Sequence, residues 1–278
     1  MMRYIGTFRN LVLASFAIGF VYQATAQPSD PSLPDNPDPA SSVSVRSDRP
    51  TDTRDATWRS FVPDFFHDQK GIWIAYPGHL ARGHYWIPTL AVAGVTAGLI
   101  VADPHIMPYF RSHQGNLDDT NDVFDPNIST AMIIAVPASI MASGYIRHDE
   151  YAVSTALLSG EAYADSIIPN LAIKAITRRE RPADIPYPQP FTNTFFNPNK
   201  SALKGSSFPS GHATGAFSVA AVVATRYRNH KWVPWAVYGL ATAVSVSRVT
   251  TLAHFPSDVF LGGATGYIIA RYQTLQPR

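Results

Sequence analysis

Six long apolar runs, at 86–102, 129–146, 151–175, 212–227, 232–247 and 258–272, constrain this chain more than any other feature. Alanine and glycine recur inside them, and the strict apolar–polar alternation of a half-buried strand is scarce. Runs of this length, rich in small residues, let helices approach one another closely. The expected fold class is therefore all-α, a compact helical bundle of about six core helices. The second run contains Pro137, and the third is interrupted by Glu161 and Asp165.

Composition narrows the function classes. Hydrophobic residues make up 46% of the 278 and charged residues only 15%, so the surface is thinly charged or part of it lies outside water. The net charge is +2 and no long Lys/Arg block occurs, which argues against a nucleic-acid partner. The absence of cysteine excludes disulfides, thiolate nucleophiles and cysteine metal ligands.

The first residues carry Arg3 and Arg9, then an apolar stretch at 11–22, then Ala24-Thr25-Ala26. That order reads as an export signal over residues 1–26, with an uncleaved N-terminal anchor as the alternative. Either way the remainder is delivered outside the cytoplasm, to a periplasmic or other extracytoplasmic location. Residues 27–56 are rich in Pro, Ser, Asp and Arg without apolar periodicity, and read as a disordered linker. The folded domain is expected over 57–278.

Several runs are nearly charge-free over about 17 residues, the short limit for crossing a bilayer. Glu161 and Asp165 are expensive in lipid. Three crossings would also carry the basic segment after the third run back inside. A soluble or peripherally attached exported bundle is therefore preferred, with a membrane-embedded one as the alternative.

Three short stretches carry the chemistry. "KAITRRERP" contains Lys174, Arg181 and Pro182. "PSGH" spans Pro209 to His212. "SRVTTLAHFPSD" contains Ser247, Arg248, His254 and Asp258. Lys174 and Arg181 are spaced to share a helix face if the helix persists that far. The arginine forks match phosphate oxygens in pairs, and the lysine acts as a point charge. Ser210 and Gly211 stand where a helix is expected to start, with orphan amides pointing outward and room for an anion. His212 has the reach of a general acid. Pro256 suits the first position of the last helix, placing His254 just before it and Asp258 one turn on. A carboxylate on one ring nitrogen fixes the tautomer and frees the other for attack.

Lys-x6-Arg-Pro, Pro-Ser-Gly-His and Ser-Arg-x5-His-x3-Asp, in that order over 174–258, resemble the three-part signature of the type 2 phosphatidic acid phosphatase (PAP2) superfamily. That superfamily includes bacterial acid phosphatases, lipid phosphatases and vanadium haloperoxidases. The resemblance implies a phosphomonoesterase that needs no metal or cofactor and acts on a lipid phosphate or a small phosphate ester. It implies that His254 is the nucleophile and forms a phosphohistidine, that Asp258 orients it, and that His212 protonates the leaving group. Lys174, Arg181, Ser210, Gly211 and Arg248 would bind the phosphate. Two rivals stand beside this reading: a vanadate-dependent haloperoxidase, and a non-catalytic module for phosphate or anionic lipid. Substrate identity and oligomeric state are not legible.

Other polar groups have plainer expectations. Glu161 and Asp165 read as holding Arg178, Arg179 or Arg181, in preference to a metal site. Residues 116–125 read as a solvated acidic loop. Tyr187, Phe191, Phe195 and Phe196 either line an entrance or pack over the bundle.

Overall fold

Each apolar run becomes a helix, and four of the six start at a polar side-chain cap or a proline. The computed structural model describes residues 53–116, 118–201, 203 and 205–277. The expected export signal and residues 27–52 of the expected linker lie outside these. The helices are α1 (Phe61–Lys70), α2 (Tyr76–Ala81), α3 (Trp86–Ser112), α4 (Asp118–Val123), α5 (Pro126–Arg147), α6 (Glu150–Thr177), α7 (Gly211–Arg226), α8 (Trp232–Thr250) and α9 (Pro256–Ile269). Single π-turns join α1 to α2 and extend α9 to Thr274. No β-strand occurs among the described residues, and the fold is all-α.

Side-chain caps satisfy the orphan amides at helix starts. Asp125 accepts from Asn127 N ahead of α5, and Asp149 accepts from the Tyr151 and Ala152 amides ahead of α6. Ser210 caps α7 through Ala213 N. Asp258 reaches back from the third position of α9 to Phe255 N at 2.9 Å. Helix α3 runs on to Ser112 through Pro104 and Pro108, beyond the expected end at 102. Each proline removes one intrahelical hydrogen bond. Burial of Asp103 and Met107, on the inner side of that extension, offsets the loss.

α7 is the central element. Its residues Ala213 to Ala224 are almost wholly buried between α6, α8 and α9. A Cβ on Gly262 of α9 would stand 2.5 Å from Ser210 O, and one on Gly266 would stand 2.1 Å from Thr214 O. Only glycine allows that approach. Apolar packing of Ile140, Ala156, Val223, Val233 and Val244 fills the space between α5, α6, α7 and α8.

Two regions depart from expectation. Thr53, Arg54 and Ala56, assigned by composition to the linker, are packed. The Arg54 guanidinium donates to Thr274 O at 2.6 Å and to Asp64 at 2.7 Å, and pairs with Glu161. The buried Arg226 in turn donates to Arg54 O at 2.8 Å. Charged anchors, invisible to periodicity, hold this segment. Residues 118–123, expected as loop, form the short helix α4.

α3 and α5 are long and apolar enough to cross a membrane, and only 17% and 22% of their most apolar windows are buried within the protein. Ile87, Val101, Ile134 and Ile146 stand exposed on them. Such faces favour association with a membrane over the fully soluble bundle.

Candidate active site

The α7–α9 interlock brings the second and third motifs together. Ser210 N donates to Asp258 O at 2.9 Å, so the starts of the two helices are joined directly. His254 sits on the turn between α8 and α9. Its amide and that of Ala253 both donate to Arg248 O at 3.0 Å, which bends the chain back over the end of α8. The His254 ring is buried. Its Nδ1 lies 3.4 Å from Asp258 Oδ2, an ion-pair distance longer than a closed hydrogen bond, with no other partner among the described residues. Burial pushes the His254 imidazole down to about 4, against the pull of Asp258. The ring is therefore neutral near pH 7. Burial also works against the Asp258 carboxylate, but the His254 contact and the Arg179 guanidinium outweigh it. They hold Asp258 below the usual carboxylate range.

The first motif enters from the end of α6. Burial lowers the Lys174 ammonium to about 8; Asp258 opposes that shift and Arg181 reinforces it. Lys174 Nζ donates to Ser206 O at 2.7 Å, which ties the approach to α7 onto α6. α6 ends at Thr177, and Arg178 turns left-handed, so Arg181 reaches its position on extended backbone before Pro182. Arg181 is half-buried, and its Nε has no hydrogen-bond partner among the described residues.

His212, in the first turn of α7, is half-buried. Its Nε2 lies 3.2 Å from Pro126 O and 3.1 Å from Thr130 Oγ1. Burial lowers its pKa, with Arg248, Arg181 and Lys174 adding to the effect and the Pro126 carbonyl opposing it. Lys174 and Arg181 thus act on both imidazoles. Arg248 is buried and spends donors on Phe124 O, on Ser129 Oγ at 3.1 Å and on Ser247 Oγ. It acts electrostatically on His212 from that position. Ser210 Oγ serves as the α7 cap, which leaves its proton available to donate.

Several neighbours were missed by motif reading. Arg179 bridges Asp103 at 2.7 Å and Asp258 at 2.6 Å. Ser257 bonds both Arg179 and Asp103. Asn170 donates to Thr214 Oγ1 at 2.9 Å behind the α7 start. Arg179 lies inside the Lys-x6-Arg spacing, where nothing in the pattern separates it from Arg178. Asp103 is far away in sequence and has no local partner. The expected role of Glu161 and Asp165 is corrected: they do not hold Arg178, Arg179 or Arg181. Glu161 pairs with Arg54, and Asp165 bonds Thr274 and Gln69. They lie near Arg54 and Thr274 because α6 carries them about three to four turns away from its C-terminal end. Of the loop aromatics, Phe191 is buried under Arg111 and against Phe255, and Phe195 packs on Arg179. Tyr187 and Phe196 are exposed.

Residues 152–278 match the family model of the PAP2 superfamily. This part of the chain is similar to the PAP2 superfamily. The match takes in all three motifs and α6 to α9, while α1 to α5 precede it. The crystal structure of the first transmembrane PAP2-type phosphatidylglycerolphosphate phosphatase, from Bacillus subtilis, aligns at 18% identity over 76% of this chain and 91% of that one. Its TM-score is 0.36. No curated protein matches the chain.

Proposed function

We propose that the chain is a phosphomonoesterase that uses His254 as its nucleophile. The PAP2 match over residues 152–278 supports a phosphatase. The observation that carries the finer reading is the neutral, buried His254 ring backed by Asp258, under two cations that also act on His212.

The chemistry follows from those positions. Asp258 accepts a hydrogen bond from Nδ1–H once the ring closes on it, which keeps the proton on Nδ1 and the lone pair on Nε2. Nε2 attacks phosphorus, a P–N bond forms, and the P–O bond to the leaving group breaks. The imidazolium so formed is stabilised by Asp258. Lys174 and Arg181 hold the equatorial oxygens as charge builds. His212 supplies a proton to the leaving oxygen. Its pKa is lowered by the cations around it, and a bound phosphate dianion offsets them and lets the ring hold that proton. Water then cleaves the P–N bond, with His212 as base, and releases inorganic phosphate.

Lipid phosphate is the favoured substrate class, because the exposed apolar faces of α3 and α5 suit contact with lipid. We place the enzyme at a membrane outside the cytoplasm, consistent with the N-terminal reading. The test is hydrolysis of p-nitrophenyl phosphate and of a short-chain phosphatidic acid by detergent-purified protein. His254→Ala is expected to lose at least about 1000-fold in kcat on both. Full turnover in that variant removes the nucleophile assignment. Preference for the soluble ester in mixed micelles removes the lipid reading.

A further inference from the structure

Arg179 is a buried guanidinium held by hydrogen bonds along its edges and packed on aromatic rings. Nη2 donates to Asp103 Oδ2 at 2.7 Å, and Nη1 donates to Asp258 Oδ1 at 2.6 Å and to Ser257 Oγ at 2.7 Å. Nε donates to Thr194 Oγ1 at 3.0 Å. Phe255 and Phe195 lie 3.8 and 4.4 Å from its central carbon. With its donors committed in this way, Arg179 is not free to serve as a phosphate clamp, whereas Arg181 is only half-buried and has a donor to spare.

Asp103 is the other half of the arrangement. It enters from α3, is wholly buried, and accepts from Arg179 and from both the amide and hydroxyl of Ser257 in the first turn of α9. Asp258 is divided by this geometry. One oxygen is held by Arg179, and the other takes the Phe255 amide and faces His254 Nδ1. The carboxylate cannot turn without breaking a buried ion pair. One cation is shared between two anions, so its pull on Asp258 is tempered by Asp103.

We propose that Asp103 and Arg179 form a positioning pair that orients Asp258 and sets the charge it presents to His254, tying α3 to the nucleophile. The inference rests on the His254 reading and deepens it. The plain alternative is a staple that holds α3 to α9 and does nothing more.

The pH dependence of kcat/KM for p-nitrophenyl phosphate separates the two, because a staple moves stability and leaves the profile in place. Facing His254 are Asp258 on α9, Lys174 on α6 and Arg181 beyond it, with His212 of α7 under the same two cations. All of these stay in both variants. Asp103→Asn leaves the Arg179 charge untempered, so Asp258 supports a protonated His254 less and the acid limb moves to lower pH. Arg179→Gln frees the full Asp258 charge, and the acid limb moves to higher pH. Shifts of about one unit in opposite directions are expected. They should come with a drop in kcat of about 10-fold or more and little change in KM.

An unshifted acid limb in both variants, or shifts of the same sign, overturns the proposal. If Arg179→Gln does not fold, Asp103→Asn alone decides by the direction of its shift. If Asp103→Asn does not fold either, Arg179→Lys is read; it keeps the charge and loses the fork. Unchanged kcat there, or loss of all three as folded protein, assigns the pair to the fold alone. His254→Ala runs in parallel: turnover in that variant overturns the nucleophile reading itself, and its inactivity beside a normal Asp103→Asn profile overturns only the positioning pair.

Discussion

A methyl group added at Gly211 would touch only Asn170 Oδ1, at 4.0 Å. Packing against protein therefore does not demand glycine there, and close approach of a phosphate to the α7 start would. Gly211→Ala is expected to leave thermal stability equal or slightly higher, since alanine is the better helix former by about 1 kcal/mol. It should weaken competitive inhibition by inorganic phosphate about 10-fold, a loss of about 1.4 kcal/mol. Unchanged inhibition would put the anion away from this turn. At this scale the motif residues were legible because each has a chemical reason at its spacing. Arg179 and Asp103 were not, because a buried ion pair between distant residues leaves no local signature. Arg248 was legible as a cation, but its commitment to Phe124 O and Ser129 was not.

Between elements, the closest approach is α7 on α9. Gly266→Ala would drive a Cβ into Thr214 O and to 3.0 Å from Ser218 N, both of them backbone. Neither can rotate away, so the helices must separate, at a cost of about 1–3 kcal/mol. Gly263→Ala meets the Phe217 ring instead, with its nearest atom at 2.9 Å, and a ring can tilt. Denaturant unfolding should show the larger loss for Gly266→Ala. Equal losses would mean that the glycine interlock does not set the spacing. Activity should fall along with stability in Gly266→Ala, because the Ser210–Asp258 backbone bond depends on that spacing. The helices themselves were readable from apolar runs, and two of their starts from Ser210 and Pro256; the caps at Asp125 and Asp149 were not read. The end of α3 was not, since its two prolines read locally as a stop and are overruled by burial of Asp103 and Met107.

Across the whole molecule, the N-terminal segment, α1, α6 and the π-turn after α9 meet at a buried acidic group. Arg54 pairs with Asp64 and Glu161, Asp165 bonds Thr274 and Gln69, and Asp68 lies within 4.8 Å of Glu161 and Asp165. Burial raises both Glu161 and Asp165 to about 8; Arg54 opposes this at Glu161, and neighbouring Asp68 adds to it at both. Because these pKa values are raised on folding, the folded state holds protons that the unfolded state has released. Stability is fully present below about pH 4, the unfolded range, and falls as pH rises toward about 8. His254, shifted the other way, loses stability as pH falls from about 6.5 to 4, so the comparison must isolate the acidic group. Thermal unfolding between pH 5 and 8 should show a steeper decline for the wild type than for Asp165→Asn. Identical slopes would mean that Asp165 ionises normally. The sequence by itself determined the helical class, the three motifs and their order, because periodicity and chemical spacing are local properties. The tertiary structure decided which charges meet: Arg54 with Glu161, Arg179 with Asp103 and Asp258, and α3 against the nucleophile. Those pairings form where desolvation makes an unpartnered charge too costly, and desolvation exists only once the helices have packed.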